Sequence, residues 1–400
     1  MRKTVVVPIL LGAVLLSGSP GSAKDLRDLI RGLYGGDGIF VATDPRANHT
    51  AHFSIGSAAS INRLNELLAA QLGVFPFSSS VGGFTFAFEK ELGTFVRTTE
   101  TLGPLFAERA PTLGQGKLNL HASYTFFEYD KFAGKSLDGL QVVARHDPNV
   151  IGFPDVREQF ERDILLIDLD LDIRVQIFAL AATYGITDRL DAGILLPITS
   201  IDMDVRSRAR IVQSPQNTLF PGVHTFVGGP ESPDDQAFES ATGVGDIVLR
   251  TKYHLLKRNE LDLAAAVLAK LNTGDEKNFL GTGTTTLRPF LVASRTFAGW
   301  FTPHLNAGYE FDLDRDERSS VEYAVGFDVG TQRLSVAGDV LGSHRPDGTG
   351  IGDNIVTGSL GVKWNPWKQL LLLLNLQVPL NQESGLRSKL ITTFGVEYSF

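Results

Sequence analysis

Charged residues recur at every second position in several stretches: Asp170, Asp172 and Arg174 within LLIDLDLDIRVQIF, then Asp246, Arg250 and Lys252 within GVGDIVLRTKYH, with Arg288, His304 and Glu310 further on. Two-residue spacing puts side chains on one face of a β-strand, so the acids and bases of each stretch share a surface. Such a surface either binds a passing solute or pairs with itself, and mixed charges held close together normally satisfy one another. Metal chemistry has weaker support. Asp168, Asp170 and Asp172 step along a strand by about 6.6–6.8 Å, too far apart to chelate one ion unaided. Asp312, Asp314 and Asp316 imitate the start of a calcium loop, but Glu317 or Arg318 stands where that loop needs glycine and no bidentate Glu closes it. With no cysteine, thiolate sites and disulfides are excluded. The eight histidines include no HExxH pair, and no Ser/His/Asp spacing stands out. We expect no catalytic residue, no metal and no cofactor.

The elements that must carry these residues are strands. In LLIDLDLDIRVQIF, Leu165, Ile167, Leu169, Leu171, Ile173, Val175 and Ile177 oppose Asp168, Asp170, Asp172, Arg174 and Gln176. FTPHLNAGYEFDL and VEYAVGFDVG repeat the alternation, whereas in LLLLLNLQV the rule weakens because Leu371 and Leu373 fall on the polar side. A charge facing lipid at mid-bilayer costs about 2–4 kcal/mol, so the polar faces are expected to line a lumen and the apolar faces to meet lipid. Candidate strands lie at 81–88, 92–98, 116–127, 163–183, 188–205, 243–256, 260–272, 284–297, 299–313, 319–329, 332–342, 354–364, 367–379 and 389–400. Their connections alternate short and long, and Trp300, Trp364 and Trp367 all fall at short ones, as in an aromatic girdle. The expected fold is all-β: a transmembrane antiparallel up-and-down barrel of about 12–14 strands, over residues 80–400.

Both termini fit export to a membrane. MRKTVVVPILLGAVLLSGSPGSA has a basic start, a short apolar run and small residues before Ala23, the layout of a secretory signal over residues 1–23. The signal contains Arg2 and Lys3 of the 37 basic residues; 35 then face 45 acidic ones, a formal charge of −10, which argues against nucleic acid as partner. No later apolar stretch approaches the roughly 18 residues of a spanning helix, and a closed barrel is the other arrangement that pairs every strand hydrogen bond in lipid. The chain ends in KLITTFGVEYSF, with Leu390, Thr392, Phe394, Val396, Tyr398 and Phe400 on one face. Val396, Tyr398 and Phe400 resemble the terminal signature read by barrel-assembly machinery. Residues 24–79 break the pattern: KDLRDLIRGLYGG and SINRLNELLAAQLG have helical apolar spacing, and this short helical segment is expected to plug the lumen from the periplasmic side or to form a loose arm.

Three segments, GPLFAERAPTLGQGKLNLHASYTFFEYDKFAGKSLDG at 103–139, ATGVGDIVLRTKYHLL at 241–256 and AKLNTGDEKNFLGTGTT at 269–285, resemble the outer-membrane transporter family of the phenol-degradation meta pathway, distantly similar to the long-chain fatty-acid channels. The resemblance implies a monomeric barrel in the bacterial outer membrane, with lipid and a small, apolar or aromatic solute as partners. The competing readings are an outer-membrane barrel enzyme of lipase or protease type and a structural barrel that conducts nothing.

Overall fold

Twelve of the alternating stretches pair antiparallel into a closed barrel in the computed structural model, which describes residues 25–32, 85–89, 94–97, 101–145, 163–214, 225–226, 235–258, 261–348, 352–367, 369–383 and 385–400. We number the barrel strands β1 (Leu118–Phe132), β2 (Ile164–Thr187), β3 (Leu190–Val212), β4 (Val248–Arg258), β5 (Leu261–Lys270), β6 (Thr286–Arg295), β7 (Phe301–Asp312), β8 (Ser320–Gly330), β9 (Leu334–His344), β10 (Asn354–Trp367), β11 (Leu370–Pro379) and β12 (Leu386–Ser399). Each pairs with its sequence neighbour, and β12 returns to β1 with Phe394 opposite Tyr124. Closure leaves no ring strand without a partner on either side, the requirement for crossing lipid with strands.

Short turns gather at one end, the turn end, with the chain terminus; longer connections gather at the other, the loop end. Phe400 N–H donates to Leu118 O (2.8 Å), so the last residue is fastened to the first barrel strand. A belt of outward apolar side chains encircles the wall, including Tyr124, Phe178, Leu180, Val325, Leu360, Leu374, Phe394 and Val396. The three tryptophans are exposed beside the turn end. No helix of the described residues is long and apolar enough to cross a membrane. The terminal strand keeps its expected polarity, with Val396, Tyr398 and Phe400 outward.

Two sequence-based expectations are corrected. The predicted strands at 81–88 and 92–98 become Phe86–Glu89 and Thr94–Arg97, which pair only with each other in a separate two-stranded sheet. The ring therefore starts at Leu118 rather than near residue 80.

The second correction concerns β2, whose faces are reversed. Leu165, Ile167, Leu169 and Ile173 are fully buried, on the same parity as the buried Ala181 and Thr183, while Asp170 and Arg174 share the exposed parity of Phe178, Leu180 and Tyr184. The cause is length. β2 and β3 run 24 and 23 residues, whereas about 9–11 cross a bilayer. The continuous run of outward apolar side chains ends at Phe178 and Ile198; next along the hairpin, Gln176, Arg174, Asp172, Asp170, Ser200, Asp202 and Asp204 point outward, clear of the lipid. The hairpin thus rises past the membrane. Its inward side packs Ile201, Met203, Val205 and Ile211 with Leu140 and Val142 of the added strand Leu140–Arg145, and with Phe279 and Leu280 from the loop after β5. A second added strand, Asp235–Val244, lengthens the wall beside β3.

The N-terminal helical segment can be followed over Leu26–Gly32, a 3₁₀ turn running into one helical turn. Leu26, Leu29 and Ile30 join the same buried cluster, Leu26 N–H donates to Asn278 Oδ1 (3.0 Å), and Arg27 pairs with Glu276 (3.0 Å). This piece sits at the loop end. The predicted helix at 60–73 and the signal at 1–23 lie outside the described residues.

Candidate solute pathway

Residues 101–114, TLGPLFAERAPTLG, cross the lumen as a buried strap before the chain enters β1. Pro104 and Pro111 bar a helix, and without a neighbouring strand the backbone must find other partners. The wall supplies them at nearly regular intervals. Leu102 N–H donates to Ser335 Oγ (2.9 Å), Phe106 N–H to Asp339 Oδ2 (3.1 Å), Glu108 N–H to Asn306 Oδ1 (2.6 Å), Ala110 N–H to Ser294 Oγ (3.2 Å) and Leu113 N–H to Asp191 Oδ2 (2.9 Å). The inward-facing polar side chains of β3, β6, β7 and β9 thus stand in for a missing strand. Leu371, one of the two leucines that broke the alternation on β11, faces inward and packs on Leu102; Leu373 is buried on the same side.

Charge pairs fix the strap at its centre. Arg109 makes a two-pronged contact with Asp328, which also accepts from Thr101 Oγ1 (2.5 Å). Asp339, besides holding Phe106, meets His304 Nε2 (2.9 Å). Glu108 contacts Arg250 and lies 3.7 Å from Lys252, whose Nζ donates to Arg109 O (2.8 Å) and Pro111 O (2.7 Å). At its exit the strap passes so close to the wall that a Cβ on Gly185 would collide with the Gly114 backbone. Glycine is needed there for space.

On the loop-end side of the strap lies a cavity of about 350 Å³ with Phe106 and Glu108 at its base. Leu195, Val248, Leu268 and Phe290 give it apolar wall; Arg250, Arg288, Glu310 and Glu322 give it charge. Arg288 lies 3.9 Å from Glu310, 3.6 Å from Glu322 and over the Phe290 ring, 5.9 Å from its centroid. The volume is at the small end of ligand cavities.

The nine charged residues singled out from the sequence divide into three groups. Arg250, Arg288 and Glu310 line the cavity. Lys252, His304 and Asp246 are buried structural groups: the first two serve the strap network, and Asp246 accepts from the backbone of Thr273, Gly274 and Thr282 (3.2, 3.0 and 2.8 Å), folding the loop after β5. Asp170, Asp172 and Arg174 are the correction: they face away from the lumen on the protruding part of β2, where Arg174 and Asp172 pair in the open. Sequence reasoning missed Glu108 and Arg109. Their signal was two adjacent charges, ER, set between prolines with no strand alternation around them.

The three segments that carry the family resemblance meet here, the strap through Glu108 on β4 and β4's leading Asp246 on the LNTGD loop. Residues 168–338 match the family described as Putative MetA-pathway of phenol degradation. The resemblance is borne out over that span, which includes Arg250 and Arg288 but not the strap. Among solved structures, the COG4313 outer membrane channel from Pseudomonas putida F1 is 15% identical, with 73% of this chain and 98% of that one covered and a TM-score of 0.44. The CymD monoaromatic hydrocarbon channel is 10% identical (72% and 89% covered, TM-score 0.37), and the Ralstonia pickettii toluene transporter TbuX is 12% identical (72% and 90%, 0.37). No curated protein matches the chain.

Proposed function

We propose that the protein is an outer-membrane channel for diffusive uptake of small apolar or aromatic molecules. The observation that carries this reading is the cavity of about 350 Å³ with mostly apolar walls, held inside a closed barrel whose outer surface is an apolar belt; the family match over 168–338 supports it. On this reading the loop end faces outside and the turn end the periplasm. The chain is exported by a signal cleaved after Ala23, its terminal Val396, Tyr398 and Phe400 are read by the assembly machinery, and it works as a monomer. Lumen charges then hold the strap and orient solute, and they carry out no chemical step.

The test is uptake of a labelled monoaromatic compound by cells with and without the protein, together with single-channel recording in planar bilayers. Faster uptake in cells with the protein is expected. Equal uptake and no conductance would make it a structural barrel, and turnover of lipid or peptide by the purified protein would make it an enzyme.

A further inference from the structure

We infer that the solute held in the cavity carries a carboxylate: a small aromatic acid in its anionic form rather than a neutral hydrocarbon. This rests on the reading of the cavity as part of the solute path. Its starting point is a contrast between buried cations. Arg109 has its fork filled by Asp328, and Lys252 donates to two carbonyl oxygens. Arg250 is equally buried, at 4% side-chain exposure, yet only its Nη2 has an acceptor, Glu108. Its Nε and Nη1 have no hydrogen-bond partner among the described residues. Arg288, whose side chain is part-exposed, adds a second such donor: its buried Nε also lacks a hydrogen-bond partner among the described residues, and Glu310 and Glu322 stand off at 3.9 and 3.6 Å. Buried donors left unmade are costly and uncommon, and these two arginines both line the cavity.

A carboxylate supplies the missing acceptors, in the planar geometry that guanidinium groups favour. A hydrocarbon supplies none. The wider lining agrees: five cationic side chains face three anionic ones in a chain whose formal charge is −8. That excess rejects cations as well as attracting anions. Phe106, Phe290 and Leu268 provide the apolar surface against which a ring rests, within reach of both arginines.

The experiment titrates the full-length protein in detergent, at neutral pH, with benzoate, benzyl alcohol and benzylamine, three ligands that share a ring and differ in charge. Benzoate is expected to bind at least about tenfold more tightly than benzyl alcohol, as charge-assisted hydrogen bonds require, with benzylamine weakest. Arg250→Gln should bring benzoate down to the affinity of benzyl alcohol, so that the ratio of the two affinities falls to about one whatever the variant does to both. Because Arg250 also contacts the strap, Arg288→Gln serves as a second variant, with the same direction and a smaller loss. Benzyl alcohol binding with no preference for benzoate, or a preference retained in both variants, overturns the inference and leaves the channel reading standing. Binding of none of the three, with no uptake in cells, overturns both.

Discussion

Lys252→Met is the sharpest probe of the strap. Methionine keeps the length and apolar body of the side chain and removes an ammonium with no solvent exposure. Two charge-assisted hydrogen bonds disappear, to Arg109 O and Pro111 O, each contributing about 1.5–3 kcal/mol, or about 3–6 together. Against this, methionine avoids the desolvation of a buried ammonium, which costs a few kcal/mol, and Glu108 keeps Arg250 as a partner. A net loss of about 2–4 kcal/mol remains, concentrated on the docked strap because the barrel's own strand pairing is untouched. That free energy raises the undocked population roughly 30- to 900-fold. Hydrogen exchange read by mass spectrometry measures it: the amides of Phe106, Glu108, Ala110 and Leu113, now bonded to wall side chains, should lose protection by that factor, while β7 to β12 keep theirs. Unchanged exchange at 101–114, or equal loss across the barrel, would refute the assignment of Lys252 as the strap's anchor.

Three further outcomes follow from the geometry. Leu169→Ala should destabilise the protein by about 2–5 kcal/mol because Leu169 is fully buried, whereas Asp170→Ala, which loses the exposed hydrogen bond from Gly139 N–H (2.7 Å), should cost about 0.5–1.5 kcal/mol; equal effects in denaturant unfolding would argue against the inward placement of Leu169. Gly185→Val should leave an assembled barrel with faster proteolysis of 101–114, since the new side chain takes the space of Gly114; cleavage at the native rate would contradict the close approach. Deleting Phe400 removes both an outward aromatic and the Leu118 hydrogen bond, and the amount of heat-modifiable barrel in membranes should fall; unchanged amounts would show that the terminal residue is dispensable.

From the sequence alone came the approximate positions of the twelve ring strands and the existence of two chemically different faces, but not the added strands Leu140–Arg145 and Asp235–Val244. Period-two alternation is a local property of backbone geometry, so β7, β8 and β12 could be placed within a few residues and their polarity assigned correctly, with His304 inward and Phe394 outward. The export-like start and the aromatic terminal strand are likewise local signals. Which solvent each face meets was settled by long-range packing. On β2 the alternation of Leu169 and Asp170 is the same whether water lies inside the barrel or beyond the membrane; the answer depends on how far the β2–β3 hairpin outruns the bilayer, and on the apolar partners, Leu26 through Phe279, that gather from distant parts of the chain to cover its inner side. The strap was hidden for a related reason. Residues 101–114 have no periodicity of their own, and their order comes from wall residues roughly 80 to 230 positions away, such as Asp191 and Ser335, whose polar side chains complete a backbone that the local sequence leaves unpaired.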